Sequence, residues 1–300
     1  MKASSRHRYL QRIDRVVVRL SSAIADEAAL PSVGDLARDA NLSEFHFMRI
    51  YRALAGEPLG ATIQRLRLSR ALHLLTQSSA SVSEVAARIG FDTPQAFARA
   101  FRQAVGCSPS EARDRSRDTK LEIPGPRQAA PAASAIRVEV VELQPFRAVA
   151  LRNVGAYEDL DRAYSRLFAW LADRGAIETV RGIWGVPHHD RRDTPASECV
   201  FDCCLSTPAT VAPDESVTVM QLGGGQYARY THTGSYALLD EVHDRLLRNA
   251  LPARGLALRD EPILHEFLND PDETPEARLE TRIHLPVAQH GDDVAHRGPA

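Results

Sequence analysis

Arg49 and Arg99 stand fifty positions apart inside two stretches that share one plan. An arginine fork can bond O6 and N7 of a guanine together, Gln95 can pair with an adenine edge, and Phe45 or Met48 can touch thymine methyl groups. A second chemistry belongs to the carboxylate Glu266 and to the aromatic residues Trp184, Tyr157, Tyr236, Phe146 and Phe168. A buried carboxylate needs a proton, a hydrogen-bond partner or a cation, and aromatic faces hold cations and stack on planar molecules.

The elements that must position the arginines are written twice. Val33-Gly34-Asp35-Leu36-Ala37, Asn41-Leu42-Ser43, Phe47-Met48-Arg49-Ile50-Tyr51 and Gly56-Glu57-Pro58 are answered by Val82-Ser83-Glu84-Val85-Ala86, Gly90-Phe91, Phe97-Ala98-Arg99-Ala100-Phe101 and Gly106-Cys107-Ser108-Pro109. Each copy reads as a short helix, a tight turn at a residue that tolerates positive φ (Asn41 or Gly90), and a second helix. Phe47, Ile50, Tyr51 and Leu54 recur at helical spacing and are expected inward, leaving Glu44, Phe45, Met48, Arg49 and Arg52 outward. Phe97, Ala100, Phe101 and Ala104 repeat the pattern and leave Thr93, Gln95, Ala98, Arg99 and Arg102 outward. Arg52, Arg102 and the arginines of a connecting helix over 60–76, Arg65, Arg67 and Arg70, suit phosphates. A first helix is expected over 6–26.

At 300 residues and 44% hydrophobic content the chain can supply cores for two domains. The net charge of −2 hides an asymmetry: residues 1–117 carry 18 Lys and Arg against 11 Asp and Glu, the remainder 19 against 28. A basic half facing phosphate and an acidic half doing something else fit that split. There is no run of eighteen apolar residues and no apolar signal core, so a soluble, cytoplasmic protein is expected, with no membrane partner. Cys107, Cys199, Cys203 and Cys204 lack zinc or disulfide spacing and read as small buried thiols. His188-His189-Asp190 has no further ligand at useful spacing, so neither metal nor cofactor is expected.

A proline- and alanine-rich stretch over 119–135 reads as a linker. Beyond it a second repeat appears at an offset of about 80 residues. Val154-Gly155-Ala156-Tyr157-Glu158-Asp159-Leu160-Asp161 is echoed by Thr233-Gly234-Ser235-Tyr236-Ala237-Leu238-Leu239-Asp240, and Asp190 with Thr194-Pro195 by Asp270 with Thr274-Pro275. Each copy reads strand, helix, strand, strand, which makes a pseudo-twofold α+β domain: an antiparallel sheet with helices on one face and a concavity near the axis. Glu266 aligns with the apolar Val186, so one half is acidic where its twin is not. Glu280 and Arg282 share a strand face and can pair.

Residues 6–118 resemble the DNA-binding domain of AraC/XylS-family transcriptional regulators, two helix-turn-helix units bridged by a long helix. The resemblance implies double-stranded DNA as partner, both recognition helices in adjacent major grooves about one helical turn (~34 Å) apart, and RNA polymerase as a further candidate partner. Residues 136–287 resemble the GyrI-like effector-binding domain through Tyr230-Thr231-His232-Thr233-Gly234-Ser235-Tyr236, His265-Glu266-Phe267-Leu268-Asn269-Asp270-Pro271 and Glu280-Thr281-Arg282-Ile283-His284-Leu285-Pro286-Val287. This implies a small aromatic or amphipathic effector held by aromatic walls over a carboxylate, Glu266 being the first choice; 288–300 reads as a tail. The resemblance departs at Arg282, where relatives carry an acid; were Arg282 to enter the pocket, an anionic or neutral ligand gains ground. Two alternatives stand beside the regulator: a hydrolase using Glu266 as general base, and a ligand-independent regulator whose second half binds protein.

Overall fold

The computed structural model describes residues 5–115, 121–126 and 136–289, and the chain divides into two compact units, one within His7–Pro131 and the other beyond it. The first unit is helical: α1 (Ser5–Ala25), α2 (Val33–Asp39), α3 (Glu44–Ala55), α4 (Leu59–Gln77), α5 (Val82–Arg88), α6 (Pro94–Val105) and α7 (Pro109–Arg115). The repeat is written into the caps. Ser32 with Asp35 and Ser81 with Glu84 form the same reciprocal capping box at the starts of α2 and α5, each satisfying two orphan donors of a helix too short to hold itself. The turns that follow take positive φ at Asn41 (50°) and Gly90 (78°), as expected.

Two apolar clusters result, one centred on Val16, Leu20, Phe47 and Tyr51, the other on Leu75, Val85, Phe97 and Phe101. Helix α4 supplies Leu59 to the first and Leu68, Ala71, Leu74 and Leu75 to the second, so one helix packs on both pairs. Leu121 and Ile123, within the stretch read as linker, pack against the second cluster. The remainder of 119–135 lies outside the described residues.

The second unit holds β1 (Glu139–Glu142), β2 (Phe146–Val154), α8 (Leu160–Ala172), β3 (Gly182–Pro187), β4 (Val200–Ser206), β5 (Thr218–Leu222), β6 (Gln226–Thr233), α9 (Leu239–Arg245, continuing through a π-helical turn to Ala253), β7 (Leu256–Leu258), β8 (Leu264–Phe267) and β9 (Glu280–Gln289). Among the described residues they form one antiparallel sheet in the order β1-β6-β9-β8-β3-β4-β2-β5, with β7 on β9. Three strands go beyond the strand-helix-strand-strand reading. β1 and β5 each precede the first strand of one copy and pair with the first strand of the other, tying the halves together. Short β7 draws β9 out to Gln289, two residues into the expected tail; residues 290–300 lie outside the described residues.

The pseudo-twofold axis runs between β3 and β8. Gly185 and His265 are direct cross-strand partners and also equivalent positions of the two copies. Strand alternation then divides the sheet. Val149, Leu151, Phe201, Cys203 and Leu205 face the helices with Leu167 and Leu171 of α8, while Ala148, Ala150, Trp184, Val186, Cys204 and Leu264 face the other way. All four cysteines are free and buried, and burial pushes the Cys203 thiol up to about 12, as an inert packing residue requires.

Candidate DNA interface and effector cavity

In α6 the outward side chains stand where the periodicity puts them. Gln95, Arg99 and Arg102 are exposed, and Phe97 and Phe101 are the residues this helix buries. Thr93 is exposed too, but its hydroxyl accepts the Ala96 N–H and caps the helix. Helix α3 differs. Glu44 is exposed and Arg52 half-buried, Met48 packs partly on the first cluster, and the Phe45 side chain lies outside the described residues. Arg49, expected outward, is buried at 4% exposure. Burial on α3 covers His46, Phe47, Arg49, Ile50, Tyr51 and Ala53, a wider arc than its apolar stripe. Apolar periodicity cannot report that arc because His46 and Arg49 are polar, although an arginine stem packs as a hydrocarbon.

The arginines of α4 are engaged within the chain. Arg65 donates to Glu57 at 2.7 and 3.0 Å, and Thr62 donates to the same carboxylate while accepting from the buried Tyr51 hydroxyl. Arg67 donates to the Gly90 carbonyl and Arg70 to that of Ala25. These bonds tie α4 to the segments packed around it, contacts that spacing alone does not reveal.

On the helix face of the sheet, a cavity of about 460 Å³ lies across the axis. Tyr157, Tyr164, Phe168 and Phe201 wall it from one side and Tyr236 and Phe267 from the other. Glu158, Asp161, Asp240, Asp270 and Asp272 reach it against one arginine, Arg191, and the imidazole of His265. Arg191 is spoken for. Its Nε donates to the buried Asp240 at 2.9 Å, its Nη2 donates to the carbonyls of Tyr236 and Ala237, and its guanidinium lies 4.8 Å from the centre of the Tyr157 ring. On the axis the copies part: Tyr164 passes over Gly185 to donate to the Trp184 carbonyl at 2.6 Å, whereas His265 fills the twin space and meets His243 at 3.0 Å. A Cβ on Gly185 would come within 2.2 Å of the Phe201 ring, so a side chain there is excluded. Burial, followed by the Asp161 and Asp270 carboxylates, pushes the Tyr236 hydroxyl above its usual value.

Of the seven residues expected at the effector site, Tyr157, Tyr236 and Phe168 line this cavity, and Glu266, Trp184, Phe146 and Arg282 do not. The reason is strand parity. Glu266 stands between His265 and Phe267, which face the helices, so it points to the opposite side with its cross-strand partners Trp184 and Arg282. There the Phe146 ring lies tilted against Trp184, centroids 4.7 Å apart, and Trp184 against His284 at 5.3 Å. Glu266 is bonded by His284 at 3.1 Å and by Arg282 at 3.3 Å, so Arg282 pairs across the sheet and not with Glu280 along its own strand. Burial alone would raise the Glu266 carboxyl, but His284 and Arg282 hold it below its usual range. The twin of this arrangement has reversed polarity: at the place of Arg282 stands Asp202, bonded by Arg152 and His188. His188, His189 and Asp190 each have a structural bond, to Asp202, to the Val200 N–H and from Arg192, and no cluster suited to a metal occurs among the described residues.

The sequence reading missed Asp161, Tyr164, Arg191, Asp240 and Phe267. A signal was present, since Tyr157 and Asp161 recur at the same spacing as Tyr236 and Asp240.

The helical unit and the sheet unit define a class: an AraC-type helix-turn-helix domain, matched over residues 36–115, followed by a curled antiparallel sheet domain with helices. Residues 137–288 match the GyrI-like small molecule binding domain, and the chain belongs to that family. Through the helical unit it is 34% identical over 79 residues to the HTH-type transcriptional activator AarP of Providencia stuartii, covering 26% of this chain and 58% of AarP. Less than two thirds of that relative's length is therefore spanned. Through the sheet unit it is 27% identical over 154 residues to the probable transcriptional regulator YgiV of Escherichia coli K12, covering 50% of this chain and 96% of YgiV. A structure of a hydrolase from Listeria innocua superposes on 52% of this chain and 94% of its own at 13% identity, with a TM-score of 0.38. No described helix is long and apolar enough to cross a membrane.

Proposed function

We propose that this chain is a DNA-binding transcription regulator whose GyrI-like unit senses a small aromatic or amphipathic molecule. The observation that carries the sensing half is the cavity of about 460 Å³ walled by both copies of the repeat. A ligand that touches both halves can favour one arrangement of them over another, which is what a population shift requires. Tyr157, Tyr236 and Phe168 are its aromatic contacts, and the excess of carboxylates favours a cation. On the DNA side Gln95, Arg99 and Arg102 of α6 face bases and phosphates, with Glu44, Met48 and Arg52 of α3 in the neighbouring groove. RNA polymerase is the third partner where the regulator activates. Glu266 is assigned a structural role with Trp184, Phe146 and Arg282; a carboxylate held below its usual range is a poor general base, which weighs against the hydrolase reading.

An electrophoretic shift assay on the upstream region of its own gene tests this. Binding at low salt that weakens in Arg99→Ala, and that changes when cavity ligands are added, is expected; no binding by the wild type sinks the proposal.

A further inference from the structure

One copy of the repeat holds a guanidinium of the chain itself, and at the twin position of the other copy stands a residue without charge. In the filled copy the receptor consists of the Asp240 carboxylate, the Tyr236 and Ala237 carbonyls and the ring of Tyr157, all holding the guanidinium of Arg191. Applying the twofold relation gives the Asp161 carboxylate, the Tyr157 and Glu158 carbonyls and the ring of Tyr236, and all four of these residues line the cavity. The backbone frames correspond. Each segment enters through a positive-φ glycine, Gly155 or Gly234, and makes a single 3₁₀ turn, Tyr157–Asp159 or Tyr236–Leu238, before its helix.

The loops that deliver the cation correspond as well. Asp190 accepts the N–H of Arg192 on its side chain and of Thr194 on its carbonyl; Asp270 accepts those of Asp272 and Thr274 in the same way. Arg191 therefore has a definite twin in the same turn, and that twin is Pro271, also on the cavity wall. Proline brings no charge and no donor. Among the described residues no side chain bonds Asp161, and it is exposed to the cavity where Asp240 is 4% exposed.

Resting on the proposed cavity reading, the geometry points to a guanidinium or amidinium subsite at Asp161, with the ligand's cation taking in the second copy the place that Arg191 takes in the first. The chemistry selects a planar group with several N–H donors over a compact ammonium, because two carbonyls, a carboxylate and a ring face are met at once only by a flat fork. The rest of the ligand then extends over the aromatic floor between Tyr164 and Phe267. The effector class is an aromatic amidine or an arylalkyl guanidine.

Titration calorimetry on the full chain with benzamidine, benzylamine and benzamide separates the flat cation, the point charge and the neutral isostere. Benzamidine is expected to bind about tenfold tighter than benzamide and more tightly than benzylamine. Asp161→Asn should remove that advantage and leave benzamide unchanged, and Pro271→Arg, which tethers a guanidinium to the empty place, should do the same. Equal binding of benzamidine and benzamide, or an unchanged advantage in Asp161→Asn, overturns the subsite. Nile red, a neutral planar dye, keeps the two levels apart. Nile red displaced by benzamide with no benzamidine advantage overturns the subsite alone, whereas no binding by any of these overturns the cavity reading with it.

Discussion

Asp161 and Asp240 open the two helices of the sheet unit at equivalent places, yet Asp240 is buried against Arg191 while Asp161 stands in the cavity. The same contrast runs through the helical unit, where Arg49 and Arg99 hold equivalent places and Arg49 is buried while Arg99 is exposed. In both duplications the residues that shape the backbone stay alike: capping serines, positive-φ turns and the glycines before the 3₁₀ turns. The side chains placed by that backbone diverge. A repeated frame thus delivers two positions of like geometry, and in each duplication the chain buries one of them among its own residues and leaves the other exposed.

The largest expected difference is between the twin aspartates. Asp240→Ala removes the buried carboxylate that Arg191 bonds and should cost about 3 kcal/mol, whereas Asp161→Ala should stay within about 0.5 kcal/mol of the wild type. Urea unfolding followed by tryptophan fluorescence reads this directly, because both tryptophans, Trp170 and Trp184, lie in the sheet unit. Equal losses in the two variants would remove the distinction between a self-filled and an open site.

Between the arginines the difference should appear in two separate measurements. Arg99→Ala is expected to weaken operator binding by roughly tenfold or more with little change in melting temperature, the cost of losing one bidentate base contact. Arg49→Ala should lower the melting temperature, by the equivalent of about 1 kcal/mol, since it empties a packed position. If Arg49→Ala weakens DNA binding as much as Arg99→Ala at unchanged stability, α3 reads bases through Arg49 after all.

The reversed charge pairs at the sheet centre give a pH test. Burial alone would raise Asp202, but Arg152 and His188 hold it at about 2, below its ordinary 3.8. A carboxyl lowered by folding stabilises the protein above its unfolded value, and that contribution is lost as pH falls through the folded value, here between about pH 4 and 2. The shift corresponds to about 2 kcal/mol. The fall in stability of the wild type across that window should be visibly shallower in Asp202→Asn; an unchanged slope would show that Arg152 and His188 do not hold the carboxylate ionised.

These comparisons also show where reading from sequence succeeds. Helix pairs, turns and the pseudo-twofold plan were legible because caps, glycines and apolar spacing act locally. β1, β5 and β7 were not, since short edge strands owe their existence to partners far along the chain. The repeat shows in sequence that Glu266 has an apolar twin, Val186, but its side of the sheet depends on the parity of β8, and a displacement of one residue exchanges the two faces. Arg191 was missed because its partner, Asp240, lies 49 positions away in the other copy.

The smallest effects belong to the features that the copies share, and here equality is the expectation. Ser32 and Ser81 each accept the N–H of the third helical residue and receive its carboxylate on their own N–H, with distances of 3.1 and 3.2 Å for the first bond. Ser32→Ala and Ser81→Ala should each cost about 1 kcal/mol, and because the boxes sit in separate core clusters the double variant should lose the sum. Circular dichroism of the full chain at 222 nm measures the melting shifts. Strongly unequal shifts would mean that the two helix pairs, alike in their caps, differ in how much of their stability comes from packing on α4, and the divergence of the copies would then reach down to the frame itself.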